Sequence, residues 1–144
     1  MITNMNHVSF TVADLDRSVE FYEKILGLPC VSNAERDEEF SSAVTGIPGV
    51  MMKIAYMEAP NASVELIQYV KGEGEALTTT TNQPGCTHLC FRVADYDEWL
   101  DRMAKNGVKM SGELCRVPAG PNKGRRVCYM PDPDGNHLEF IEEA

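Results

Sequence analysis

Asn6-His7-Val8-Ser9-Phe10-Thr11-Val12-Ala13-Asp14-Leu15-Asp16 and Thr87-His88-Leu89-Cys90-Phe91-Arg92-Val93-Ala94-Asp95-Tyr96-Asp97 are two copies of one stretch. Each reads histidine, apolar, polar, phenylalanine, polar, valine, alanine, aspartate. Apolar and polar residues alternate from 7 to 12 and from 88 to 93, the period of a strand with one buried face. Val8, Phe10 and Val12 share one side, with His7, Ser9 and Thr11 on the other. Leu89, Phe91 and Val93 stand opposite His88, Cys90 and Arg92 in the same way. Asp14 or Asp16 can cap a helix after the first strand, and Asp95 or Asp97 one after the second. Val19, Tyr22, Ile25 and Leu26 fall at helical spacing, as do Tyr96, Trp99, Leu100 and Met103. These stripes should cover the apolar strand faces, and both helices end near a glycine, Gly27 and Gly107.

Working outward, three further strands are expected in each copy, near 28–34, 50–58 and 62–70 and near 109–117, 125–130 and 136–142. Pro131-Asp132-Pro133-Asp134-Gly135 reads as a tight turn into the last strand. The polar, glycine-containing run 71–85 reads as a linker. The fold class is therefore α+β. Residues 1–144 form one domain of two βαβββ repeats, about 5–70 and 86–143.

In each copy a late strand carries a lone glutamate among apolar residues, Val64-Glu65-Leu66-Ile67 and Leu138-Glu139-Phe140-Ile141. A carboxylate in so apolar a strand is costly to bury unless it is paired or bound to a metal. One histidine or one glutamate on a strand is most simply a surface residue. Here both recur at equivalent places, and the alternation turns both histidines away from the helices. If the copies pack about a pseudo-twofold axis, His7, Glu65, His88 and Glu139 converge. Two imidazoles and two carboxylates suit one borderline or hard divalent ion, and Ni, Co, Mn, Zn, Mg and Fe all fit. Six-coordinate geometry would leave two adjacent positions for water or substrate oxygens. His137 shares a face with Glu139 but has no counterpart in the first copy, so it reads as a pocket wall.

The net charge of −9 and the pI near 4.7 give no basic stripe for nucleic acid and no attraction to an anionic membrane. At 43% apolar the chain can bury a core. No run of apolar residues is long enough to span a bilayer, and Met1 to His7 does not read as a signal peptide. Cys30, Cys86, Cys90, Cys115 and Cys128 form an odd set, read as reduced, small, buried residues of a cytoplasmic protein. The expected partners are a small-molecule substrate and a second copy of the chain in a homodimer.

The segments His7–Val12, Asp14–Tyr22, Leu26-Gly27-Leu28, Thr87–Val93 and Asp132–Phe140 resemble the vicinal oxygen chelate superfamily across nearly the whole chain. That group includes glyoxalase, methylmalonyl-CoA epimerase, extradiol dioxygenases, fosfomycin thiol transferases and bleomycin resistance proteins. The resemblance implies paired βαβββ modules with a curved eight-stranded mixed sheet around a metal. His7, Glu65, His88 and Glu139 match the four-ligand pattern of its glyoxalase and epimerase branches. Thr11 and Tyr69 stand where bacterial glyoxalase holds glutathione with arginine and asparagine, which argues against glutathione. Gly46-Ile47-Pro48-Gly49-Val50 lacks the second carboxylate of the coenzyme A epimerases.

The expected chemistry is proton transfer next to a carbonyl, by an epimerase, racemase or isomerase. A glyoxalase-type lyase, an extradiol-type dioxygenase and a drug-binding resistance protein are the alternatives. Glu139 is the first choice for the base and Glu65 the second. Thr11, Met52, Tyr56, Tyr69, Arg92, Arg125 and His137 are expected around the substrate. The run 118–126 reads either as a basic lid or as a plain hairpin loop.

Overall fold

The structure is a computed structural model that describes residues 1–143; the last residue of the expected 1–144 domain lies outside them. The chain divides into two compact units, Met1–Leu77 and Thr78–Ala144, with the boundary inside the polar run 71–85. The first unit runs β1 (His7–Thr11), α1 (Leu15–Glu20), β2 (Cys30–Arg36), α2 (Glu38–Thr45), β3 (Met51–Ala59) and β4 (Ala62–Lys71). The second runs β5 (His88–Val93), α3 (Tyr96–Lys105), β6 (Cys115–Arg116), β7 (Arg126–Pro131) and β8 (His137–Glu142). The eight strands are hydrogen-bonded as two mixed sheets of four, ordered β1-β4-β3-β2 and β5-β8-β7-β6. In each sheet the opening strand pairs in parallel with the last one, and the other neighbours are antiparallel. The repeat read from sequence is thus a repeat of topology.

Strand register sorts the side chains. On the helix side of the first sheet lie Phe10, Val64, Leu66, Ala55 and Met57, all buried. Gln68 on that side accepts the backbone N–H of Leu15 at 3.0 Å, and Lys53 pairs with Asp16 at 3.3 Å, tying α1 down. On the helix side of the second sheet lie Leu138, Phe140, Cys128 and Met130, with Trp99 of α3 against Phe140 at 4.4 Å between ring centroids. Leu15, Val64, Leu66, Leu138 and Phe140 are each at most 2% exposed. Burial of such a side chain stabilises by roughly 1.5–3 kcal/mol. The helix side therefore holds the apolar core, with polar pairs only where the helices are tied to the sheets, and the histidines and strand glutamates lie on the opposite faces.

The helices differ from the sequence reading in detail. Asp14 caps α1, accepting from Arg17 N at 3.0 Å. A π-helical turn, Phe21–Ile25, extends α1 and shifts its buried stripe to Leu15, Ser18, Phe21 and Tyr22; Val19, Ile25 and Leu26 are half-buried. Asp95 starts α3 in the left-handed region (φ 46°) without a side-chain cap bond. Asp97 pairs with Arg126 instead. Between β2 and β3 the sequence reading had no helix, yet α2 forms. Asp37 accepts from Phe40 N at 2.9 Å, and Gly46 closes the helix at φ 72°, a conformation that suits glycine. The strand expected at 109–117 shrinks to Cys115–Arg116, because Ser111 and Gly112 break the alternation.

The run 118–126 is a self-closed hairpin loop. Val117 N bonds Arg125 O at 3.0 Å, and Gly124 N bonds Val117 O at 2.8 Å. Arg126 faces the helix side, where it lies over Tyr96 and bonds Asp97 and Glu142. Of the five cysteines only Cys128 is buried; Cys90 and Cys115 are exposed, since both lie on the polar face of the second sheet, and none forms a disulfide. No helix among the described residues is long and apolar enough to cross a membrane.

Candidate metal centre

In the first unit β1 and β4 run side by side, with Ser9 opposite Glu65 and His7 one pleat away on the same face. His7 Nδ1 meets Asn6 Oδ1 at 2.7 Å, and His7 Nε2 lies 3.5 Å from Glu65 Oε2. With Nδ1–H donating to the asparagine oxygen, Nε2 keeps its lone pair toward the carboxylate, the tautomer a metal-binding imidazole needs. Glu65 is 7% exposed among apolar neighbours. Tyr56, directly opposite Glu65 on β3, donates its hydroxyl to Glu65 Oε1. The Tyr56 ring stands edge-on to His7, 5.7 Å between centroids and 79° between planes.

The second unit repeats this set. His88 Nε2 lies 3.0 Å from Glu139 Oε2. Tyr129, opposite Glu139 on β7, places its hydroxyl 3.3 Å from Glu139 Oε2 and 3.3 Å from His88 Nε2. The Tyr129 and His88 rings are also edge-on, at 5.2 Å and 73°. Tyr129 was not singled out in the sequence. Its signal is the repeat: Tyr56 stands nine residues before Glu65, and Tyr129 ten before Glu139.

Electrostatics keep the neighbouring hydroxyls and thiol protonated. The hydrogen bond to Glu65, then burial, holds the Tyr56 phenol above its ordinary range. Burial, then the Glu139 charge, does the same for Tyr129. Cys90 lies directly opposite Glu139 on the parallel strand. Burial, followed by the Glu139 charge and hydrogen bond, pushes its thiol up to about 11. Cys90 is thus held as a neutral thiol beside Glu139.

The other expected site residues fall as follows. Thr11, Met52 and Tyr69 share the face of His7 and Glu65, with Met52 only 3% exposed. Arg92 shares the face of His88 and Glu139, one pleat beyond Cys90. His137 sits beside His88, and its Nε2 lies 3.1 Å from Thr79 Oγ1. Arg125 turns elsewhere, donating to the backbone carbonyl of Glu142 at 3.0 Å. The turn before β8 is fixed by buried Asp132, whose carboxylate accepts from Asp134 N, Asn136 N and Asn136 Nδ2, each at 2.9 Å.

Each unit therefore supplies one imidazole nitrogen and one carboxylate within 3.5 Å of each other, a donor pair suited to a divalent ion. Among the described residues no group of three or more His, Cys, Asp or Glu gathers into a ready cluster.

A family model described as "Glyoxalase/Bleomycin resistance protein/Dioxygenase superfamily" matches residues 4–140. The chain is 28% identical over 142 residues to a 2-epi-5-epi-valiolone epimerase of Actinomyces sp, covering 95% of this chain and 78% of the relative. It is 29% identical over 140 residues to a lactoylglutathione lyase of Escherichia coli O157:H7, covering 95% and 90%. Among solved structures, a glyoxalase family protein from Bacillus cereus superposes with a TM-score of 0.86 at 26% identity, over 99% of this chain and 95% of that one.

Proposed function

Since the chain belongs to the Glyoxalase/Bleomycin resistance protein/Dioxygenase superfamily, we propose that it is a metal-dependent epimerase, racemase or isomerase that moves a proton next to the carbonyl of a small molecule. The observation that carries this reading is the duplicated His–Glu–Tyr group on the polar face of each sheet. In it, His7, Glu65, His88 and Glu139 together hold one divalent ion, within one chain or across a homodimer. Such an ion supplies Lewis-acid stabilisation of the negative charge that develops on a substrate carbonyl oxygen.

The protein's own part is to take and return the proton. Glu139 is the base: its side chain is 20% exposed, against 9% for Glu65, so it is the more accessible carboxylate. It removes the hydrogen on the carbon beside the carbonyl and returns a proton to the same or the next carbon. The Tyr129 hydroxyl and the Cys90 thiol, both protonated, orient the carboxylate. Thr11, Met52 and Tyr69 on one unit and Arg92 and His137 on the other border the substrate. The 28% identity to a named epimerase supports proton transfer without ring opening. A lyase of the glyoxalase type shares the same proton step, and the relative named as a lyase keeps it as the second reading.

The test is deuterium wash-in. Metal-loaded protein is incubated in heavy water with a panel of small carbonyl compounds bearing an adjacent oxygen, and the hydrogen beside the carbonyl is followed by NMR. Wild-type protein should exchange it without consuming oxygen. Glu139→Gln at equal metal loading should exchange it about 10²–10⁴-fold more slowly, the range for loss of a positioned general base. Oxygen uptake, or unchanged exchange in the variant, would defeat the assignment.

A further inference from the structure

We infer that Arg36 is a substrate-binding residue that takes a carboxylate or phosphate group at the far end of the face that bears His7 and Glu65. The substrate of the proposed reaction is then an anionic carbonyl compound, with its anion several bonds from the reacting carbon. This substrate class rests on the proton-transfer reading above; the anion site itself is built from the first unit alone.

The strand registers order that face into rows. Ser9, Glu65, Tyr56 and Ser32 lie side by side across β1, β4, β3 and β2. One pleat on come Thr11, Ile67, Ile54 and Ala34, and one pleat further Tyr69, Met52 and Arg36. All of them belong to the first unit. From Glu65 to Tyr69 the strand advances at about 3.3 Å per residue, which puts the Arg36 row roughly 13 Å from the Glu65 row at the backbone. The floor between them is apolar: Ile54 is 6% exposed and Met52 3%. A small molecule laid along this face therefore meets a carboxylate and a phenol at one end, an apolar floor in the middle and a guanidinium at the other end.

Arg36 is half-buried at the end of β2. Its Nη1 donates to the backbone carbonyl of Glu35 at 3.0 Å, and among the described residues the guanidinium forms no ion pair. The carboxylates nearest it in sequence are engaged elsewhere. Glu35 lies on the other face beside Lys53, Asp37 caps α2, and Glu38 is bonded by Lys71. Arg126, by contrast, is taken up by Asp97 and Glu142. The Arg36 charge also reaches inward. The hydrogen bond to Glu65 and burial raise the Tyr56 phenol, and Arg36 is the cation that opposes them. A guanidinium carries five N–H donors in a planar fork that matches the paired oxygens of a carboxylate or phosphate. Left without a carboxylate of its own at the end of an apolar floor, that fork selects for an anion on the substrate. Tyr69, across Met52 in the same row, adds a hydroxyl.

The probes are hydroxymethyl ketones with a short alkyl chain that ends in a carboxylate, a phosphate or a neutral methyl ester. Deuterium wash-in with zinc-loaded protein gives kcat/KM for each. Wild type should favour at least one anion over the ester, and the stronger of the two tells carboxylate from phosphate. Arg36→Gln should cut that preference about 10–100-fold, the range for one charge-assisted hydrogen-bonded pair. Arg36→Lys should cut it less, because the charge stays and only the fork is lost. Melting curves report the fold of both variants. Full preference in Arg36→Gln would overturn the role of Arg36, and a wild type that favours neither anion would overturn the substrate class. A second readout needs no turnover. The Nε–H signal of Arg36, assigned by its loss in Arg36→Gln, is followed by NMR of isotope-labelled full-length protein as each probe is added. An anion should shift it and the ester should not. Such shifts without any exchange would defeat the proton-transfer reading and leave the anion site standing. No shift, or equal shifts with all the probes, would overturn the anion site whatever the protein catalyses.

Discussion

On the proposed metal-centred reading, replacing His88 by alanine should separate metal binding from folding. Its side chain is 42% exposed, and its contacts are the edge-on Tyr129 ring and Glu139, neither part of the helix-side core. Its loss should change metal-free stability by only about 0.5 kcal/mol, as for other surface substitutions. Metal binding should suffer far more. Structural zinc sites contribute roughly 10–16 kcal/mol through four ligands, or about 3 kcal/mol each, close to a 100-fold change in dissociation constant. At a metal concentration one hundred times the wild-type dissociation constant, binding adds about 2.7 kcal/mol to wild-type stability. A site weakened 100-fold then gains only about 0.4 kcal/mol. For a chain of this size 1 kcal/mol shifts the melting temperature by roughly 2–4 °C. Metal should thus raise wild-type melting by about 5–11 °C and the variant by about 1–2 °C. Melting curves with and without nickel, cobalt or zinc, and elemental analysis after desalting, make the measurement. A His88→Ala protein that keeps stoichiometric metal and the full thermal gain would show that the site lies elsewhere.

Two further outcomes are expected. Light scattering should give the mass of a homodimer; a monomer would refute the dimer without touching the metal assignment. Hydrogen bonds from Arg126 hold Glu142 down at about 2 and lower Asp97 as well. Both carboxyls are thus more acidic folded than unfolded, so their stabilisation is present above about pH 4.5 and is lost as the pH falls toward 2. Arg126→Gln should flatten the fall of melting temperature across that window, and an unchanged slope would remove Arg126 as the cause.

Much of the fold was legible because period and repeat agree. The alternation at 7–12 and 88–93 fixes which side is dry, and the lone glutamates mark the other side. What was not legible depends on local bonds that leave no period. The α2 segment is largely polar, Glu38-Glu39-Phe40-Ser41-Ser42, and its fully buried residue is a serine; it exists because Asp37 and Gly46 close its two ends. Tyr129 escaped notice because its spacing to the glutamate differs by one from that of Tyr56. The β3–β4 turn is the short Pro60-Asn61, whereas the β7–β8 turn is the longer Asp132–Asn136 organised by the buried Asp132 carboxylate. The registers restore the equivalence that the spacing hides.

The repeat supplies the same three groups twice, yet the surroundings of the copies have diverged. Thr11 and Arg92 occupy matching places, one neutral and one cationic. Glu65 is buried and bonded by the Tyr56 hydroxyl, while Glu139 stands beside exposed Cys90 and the more open His88. An ion held by two identical carboxylates would have no reason to release one of them over the other. Separating two like groups by their environments is how proteins give them different duties in proton transfer. The asymmetry also says which variants are informative. A change at Glu65 should act first on whether metal is held, and a change at Glu139 on what the held metal can do. An enzyme in which both changes had the same effect on metal and on exchange would be a symmetric site, and the difference between Tyr56 and Tyr129 would then be a difference of packing alone.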